Sequence, residues 1–348
     1  MNRQRVLLNQ LQINEPISDA SQLIKTSVCA VERGAAFQQS PSIGDNAVLD
    51  KTNLNPAEVG DIVVGTALGL ETGPIQTVTR QGSSGLDAIV DVAASIKAGF
   101  YDIGIGAGLE SMTSNPVTLE VSKNPKVESH KRAAGAWASG KFKDEVVPLK
   151  TKVLDLKTEE QKDVEVYTDN GIQPNVSLSA LAKLEPISKY DGSTTTFGNS
   201  SKPSDGAAAV LLIRREMATR KGLPILGVFR GYVAVGVDQC HFELNEAFTS
   251  EYVYCCKKLN LNTDKVNVNG GAIALGNPLG ATGARCVTTL VHEMKRKGKN
   301  CRYGVVAMSI GSGMGAAAIF ERGEGLEITD PRGVQSHNLL PKDAFPDK

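Results

Sequence analysis

The chain has 348 residues, and its 38 Lys+Arg balance its 38 Asp+Glu, so no net field draws it toward nucleic acid or an anionic membrane surface. No apolar run approaches the ~20 residues that cross a bilayer. Six cysteines, at 29, 240, 255, 256, 286 and 301, are no disulfide scaffold, and none has zinc-ligand spacing; the length allows two ordinary domains or one duplicated unit.

In chain order, residues 12–45 are polar and read as a flexible, removable leader. Residues 81–99, QGSSGLDAIVDVAASIKAG, set Leu86, Ile89, Val90, Ala93 and Ile96 on one helical stripe, with Ser83 or Ser84 as N-cap and Gly99 as stop. A strand over Tyr101–Ala107 follows, then GLESMT. The run 129–142, SHKRAAGAWASGKF, has the composition of a solvated helix with a charged face. Ile225–Val235 and Phe242–Leu244 read as strands. Cys255 and Cys256 are neighbours on a helix, about 100° apart, and share no face. Residues 270–285, GGAIALGNPLGATGAR, are small around one Asn-Pro, and they open a helix on which Ala284, Val287, Val291 and Met294 recur up to Lys297-Gly298. Such a loop either points backbone N–H groups at a ligand oxygen or phosphate, or is a tight strand-to-helix turn that needs small residues. A strand over Tyr303–Ser309 and GSGMG complete the pattern. A loop–helix–strand–glycine unit therefore occurs twice, which predicts two related α/β halves. His130, His292 and His337 lie outside these loops and read as solvated.

RQGSSGL (80–86), GAGLESM (106–112), NEAF (245–248), GGAIALGNPLGATGAR (270–285) and SIGSGMGAAAIFE (309–321) resemble, in order, the signature loops of thiolases. The likeness is greatest to the plant peroxisomal 3-ketoacyl-CoA branch and continues through TNLNPAEVGDIVVGT (52–66) and GNSSKPSDGAAAVLL (198–212). It implies a duplicated α/β fold layered αβαβα. It also implies cleavage of 3-ketoacyl-CoA by CoA in fatty-acid β-oxidation, with CoA thioesters as substrates, no further cofactor, no metal and a homodimer.

Three positions depart from the family pattern. The nucleophilic cysteine is replaced by Gly82, the histidine between Gly and Pro by Asn277, and the second cysteine, which shuttles the proton, by Ser309. Thiolysis needs a thiolate to hold the acyl group, an acid/base, and donors for the enolate oxygen. Gly82 has no side chain and cannot form an acyl-enzyme. Asn277 can donate a hydrogen bond but cannot accept a proton from an acid, and an unassisted Ser309 hydroxyl is a poor acid and a poor nucleophile. The expectation is a catalytically impaired thiolase relative; the alternatives are a CoA-ester-binding or dimer-partner pseudoenzyme, or a defective gene product. Ser83, beside the vacancy, has no histidine partner in a motif, and Cys286 reads as core.

Other family features persist. Asn245 matches the residue that holds a water in the first oxyanion hole, the backbone N–H groups of Gly82 and Gly311 match the second, and Ser201 matches a serine that contacts CoA. Arg3, Gln4, Leu7, Leu8, Gln10 and Leu11 resemble a type 2 peroxisomal targeting signal, which implies a soluble import receptor and a peroxisomal location, with Cys29-Ala30 near the cut. The resulting division is 1–45 presequence and leader, 46–215 first half with a shortened loop domain at about 117–197, 216–325 second half, and 326–348 polar tail. Segments of the family pattern are absent near 47–51 (the first strand and helix), 70–71, 124–128 and 238–242. About six residues separate the strands at 225–235 and 242–244, too few for a parallel crossover between neighbours, so the second strand pairs elsewhere or its half-sheet is incomplete.

Overall fold

The computed structural model describes residues 22–32, 48–67, 76–112, 127–154, 161–169, 171–181, 183–186, 196, 198–201, 204–231, 240–311 and 314–323. In chain order the strands are β1 (Gln22–Glu32), β2 (Asp61–Gly65), β3 (Gln76–Val78), β4 (Ile103–Ser111), β5 (Leu149–Leu154), β6 (Gln161–Val166), β7 (Asp205–Arg214), β8 (Gly227–Gly231), β9 (Cys240–Leu244), β10 (Tyr303–Gly311) and β11 (Met314–Arg322). The longer helices are α1 (Ser84–Ala98), α2 (Val127–Ala138), α3 (Thr249–Lys258) and α4 (Leu279–Lys297). Among the described residues no helix is long and apolar enough to cross a membrane.

The main sheet has the order β3-β2-β4-β7-β1-β8-β11-β10-β9, and β5 and β6 pair separately. That order is a palindrome of two similar halves. In each, the strand after a glycine-rich helix start (β4 or β10) has a parallel neighbour on one side (β2 or β9) and an antiparallel one on the other (β7 or β11). The outer parallel strand of the first half, β3, has as its counterpart only a parallel bridge between Phe242 and Val266. Strands β1 and β8 join the halves, antiparallel over Gln22–Ile24 and Gly227–Phe229.

The strand β1 corrects the sequence reading twice. Residues 22–32 are not a flexible leader, because they pair with β7 from Gln22↔Arg214 to Glu32↔Asp205. The first strand is therefore present, and residues 48–52 are helical. A polar composition hid this strand, since a centrally placed strand usually shows a continuous apolar run. The strand at 242–244 does pair elsewhere: β9 lies against β10, with β11 and β10 between it and β8. Strand β4 begins two residues later than expected and runs on through GLES, because Gly108, Leu109, Glu110 and Ser111 all continue the ladder with β7. Arg3 to Leu11, the tail 326–348 and His337 lie outside the described residues.

Strand β7 reads DGAAAVLLIR and feeds two cores, as period-two alternation dictates. Ala208, Val210 and Leu212 join α1 (Leu86, Ile89, Val92, Ala93, Ile96), α4 (Ala284, Val287, Leu290, Val291, Met294), β10 (Val306, Met308, Ile310) and Phe320. Ala209, Leu211 and Ile213 face the opposite way, onto Ile103, Ile105, Val48, Leu54, Ala218 and Leu223. Helix α3 covers the far side of the second half through Tyr252, Cys256 and Val266. Helices α1 and α4 thus form the middle layer between the half-sheets, with further helices outside each, which is an αβαβα stack. Every residue of α4 from Gly280 to Met294 is buried, and this reverses the reading of His292 as solvated. His130 is also buried, and its Nδ1 accepts from Gln173 N.

Candidate active site

The site grows out of the contact between two helix starts. A Cβ on Gly85, in the first turn of α1, would lie 2.6 Å from the carbonyl oxygen of Gly280 in the first turn of α4, and one on Gly283 would collide with the Leu86 amide. Only glycine lets these backbones meet, which is why the two glycine-rich loops converge. Glu110, fully buried at the end of β4, accepts from Gly280 N and Ala67 N at 2.8 Å each. It caps α4 from another strand, satisfying an otherwise orphan N–H and complementing the positive end of the helix. In the second half, Glu246 is likewise buried and accepts from Ser129 Oγ (2.7 Å), Asn267 Nδ2 (2.9 Å) and Ile273 N (3.3 Å), fastening α2 to the GGAIAL loop.

Gly82, Ser309 and Gly311 come together. Gly82 is buried in a tight turn, Gln81–Ser83, and a Cβ placed on it would lie 3.1 Å from the Ser309 carbonyl oxygen. Gly311 has φ +111° and abuts the Gln81 side chain, so its backbone needs glycine. Asn245, Asn277 and Ser201 form a second group. Asn245 Nδ2 donates to Asn277 Oδ1 (3.4 Å), Thr282 Oγ1 donates to the same oxygen (2.8 Å), and Asn277 Nδ2 donates to Ser201 Oγ (3.1 Å). All three residues are buried. The groups meet at the ends of β9 and β10, where Asn245 N donates to Ala307 O at 2.9 Å, two residues before Ser309. Carboxyl ends of parallel strands are where open α/β sheets place their ligands. Asn245 Oδ1 is buried without a hydrogen-bond partner among the described residues, an acceptor that a ligand donor or water would satisfy.

The serines beside the vacancy are occupied, and the expected N-cap bond is absent. Ser83 Oγ donates to Asp87 Oδ2 (2.7 Å), whose other oxygen holds Arg80 at 2.7 Å, and Ser84 Oγ donates to Gln81 O (2.6 Å). Neither Cys286 nor Cys255 offers a substitute nucleophile. Burial pushes the Cys286 thiol up to about 12, and burial, then Glu251 and Cys256, push Cys255 up, the reverse of what a reactive thiolate requires. One group escaped the sequence reading: Glu251, in the first turn of α3, accepts from Ser309 Oγ at 3.2 Å. Burial raises its carboxyl above the usual carboxylate range, partly opposed by that hydrogen bond. Its sequence signal was an acidic residue one helical turn after NEAF; what it faces is set by β10, where Ser309 lies 58 residues away.

The thiolase N-terminal domain family matches residues 42–127 and 122–216, and the thiolase C-terminal domain family matches residues 228–322. The chain is 47% identical to peroxisomal 3-ketoacyl-CoA thiolase 1 of Arabidopsis thaliana, covering 95% of this chain and 99% of that one. It is 45% identical to peroxisomal 3-ketoacyl-CoA thiolase 1 of Petunia hybrida, covering 99% of both. The first alignment runs over 441 residues, more than this chain has, so stretches of the relative have no counterpart here. In fold, the chain is similar to human mitochondrial 3-ketoacyl-CoA thiolase in complex with CoA, with a TM-score of 0.73, 22% identity, and 87% of this chain and 98% of that one covered. The duplicated halves, the meeting of their helix starts and these matches lead to one conclusion: the chain belongs to the thiolase family.

Proposed function

We propose that this chain is a peroxisomal thiolase-family protein of β-oxidation that binds CoA thioesters at the junction of its two halves and does not itself turn over 3-ketoacyl-CoA. The names of its relatives support the location and the substrate class, and the solved neighbour that holds CoA supports the binding. The observation that carries the loss of turnover is Gly82: buried, facing the Ser309 carbonyl, and without a sulfur or hydroxyl to hold an acyl group. Loss of a nucleophile costs roughly six orders of magnitude in the subtilisin example, and loss of partners in the same unit adds little. The polar chain Asn245–Asn277–Ser201 remains as a hydrogen-bonding surface for a thioester, and Gly82 and Gly311 supply backbone N–H groups. The homodimer of the family and import through the segment Arg3–Leu11 are part of the same proposal.

The test is the CoA-dependent loss of acetoacetyl-CoA absorbance by purified protein. Rates near those of a working thiolase would refute the proposal, and calorimetry without CoA binding by a folded sample would remove the binding half. A defective product without a stable fold is the competing reading, supported by the stretches without counterpart. The palindromic sheet with packed cores on its faces opposes it, and a sharp thermal transition would exclude it.

A further inference from the structure

We propose that the end of α4 remote from the site is a docking surface for an anionic lipid membrane. The overall balance of 38 basic and 38 acidic residues conceals a local excess. Five of the eight residues from Lys295 to Arg302 are basic (Lys295, Arg296, Lys297, Lys299 and Arg302), and all five are exposed. They close the last turn of α4, pass through the single turn Gly298–Asn300 and reach the start of β10. Three carboxylates face them. Asp144 lies 4.0 Å from Lys295, and Glu293 takes Arg296 at 3.0 Å and Lys297 at 3.7 Å. Glu321 takes Arg302 at 3.0 Å but is shared with Arg230 at 2.6 Å. Six cations on three carboxylates leave this pole of the molecule positive.

A helix C-terminus favours cations near its unpaired carbonyls, but that effect does not account for the excess, because the duplicated fold supplies a comparison. Helix α1, the counterpart of α4 in the first half, has Lys97 as the one basic residue of its last turn, and the stretch that leads on to β4 adds Asp102 and no cation. The same helix–turn–strand unit is therefore built without a basic run. A broad, diffuse partner also fits better than a protein. Protein interfaces are depleted in lysine and centre on aromatic, Met or Arg anchors. Here three of the five cations are lysines, and no large apolar side chain is exposed between Lys295 and Arg302. Clustered cations without an anchor hold a surface of anionic headgroups by summed Coulomb attraction, roughly fivefold in affinity for each one. Helix α4 has 19 residues and spans about 28 Å, so docking at this end leaves the junction at Gly280 clear of the lipid.

The experiment is flotation of the full chain with phosphatidylcholine vesicles that contain or lack phosphatidylserine, at low and high salt. Binding is expected only with phosphatidylserine, and it should disappear as ionic strength approaches about 1 M, where screening is complete within about 3 Å. Lys295→Gln, Lys297→Gln and Lys299→Gln combined should weaken it on the order of 100-fold. The ion pairs lost with Lys295 and Lys297 involve exposed lysines and are worth little, so the thermal melt should not change. Lys299→Gln alone breaks no ion pair among the described residues and should weaken binding about fivefold, while Lys97→Gln, at the matching end of α1, should leave it as in the native chain. No binding to phosphatidylserine vesicles, equal binding to phosphatidylcholine alone, or undiminished binding by the combined variant would overturn the proposal. Binding to a duplex oligonucleotide or to polyglutamate without binding to vesicles would overturn it too, in favour of a nucleic acid or an acidic protein.

Discussion

We propose that Gly82, Asn277 and Ser309, where the sequence departs from the thiolase pattern, act as one unit. Gly82 looks onto the Ser309 carbonyl, and Asn277 reaches Asn245, whose amide is held by the same strand. Replacing Gly82→Cys, Asn277→His and Ser309→Cys together should raise acetoacetyl-CoA cleavage by about 100-fold or more over the native chain, while Gly82→Cys alone stays near background, since residues acting as a unit are not additive. Equal rates for the single and triple variants would contradict that unit. The Cys fits at 82 if the Ser309 carbonyl yields a few tenths of an ångström. That Gly82 and Ser309 lie side by side was legible in the sequence because both sit inside contiguous motifs whose order fixes them. Glu251 was not, since its meaning depends on a hydroxyl brought across from another strand. His292 was misread because a polar side chain on an amphipathic helix is ordinarily solvated, and here sheets cover α4 on both sides.

At the scale of elements, the α1–α4 contact decides whether the site exists. Gly283→Ala should destabilise the fold by about 2–3 kcal/mol, measured by denaturant unfolding. The gain in helix propensity of about 1 kcal/mol is smaller than the cost of prying apart a packed contact against the Leu86 backbone. A neutral or stabilising effect would show that the helices do not meet this closely. A second test concerns Glu145, buried beyond α2, whose carboxyl is pushed up to about 7 by burial, opposed by Arg296 and Arg285. A carboxyl that holds its proton more tightly when folded contributes stability that is full below the unfolded value near 4.5 and is lost as pH rises through 7. Glu145→Gln should therefore gain stability relative to the native chain as pH rises from about 4.5 to 8, by at most about 3 kcal/mol. A difference that does not change with pH would place Glu145 in water. His292, whose burial holds its proton affinity well down, acts oppositely and loses stability as pH falls below about 6.5; it cancels in the comparison. The helices α1 and α4 were legible from apolar spacing and glycine stops, whereas the N-cap at Ser83 failed because Asp87 and Arg80 claim its hydroxyl.

For the whole molecule, duplication was legible because the loop–helix–strand unit recurs in order, and the structure extends it to a palindromic sheet. What sequence could not show was β1, whose place between β7 and β8 is fixed by long-range pairing and not by its own pattern. Removal of residues 1–33 should abolish the cooperativity of thermal unfolding and favour aggregation by baring the β7 edge. Indistinguishable melts would show that β1 does not hold the halves together. A cut at Cys29-Ala30 would take most of this strand with it, so the same melts tell whether such a cut leaves a folded protein.

The proposed loss of turnover rests on Gly82, which has no side-chain atom to carry an acyl group. Intact-mass spectrometry of the native chain, quenched during incubation with a 3-ketoacyl-CoA and CoA, tests this most directly. The unmodified mass is expected at every time point; an acyl adduct formed on the timescale of turnover, on any side chain, would contradict it.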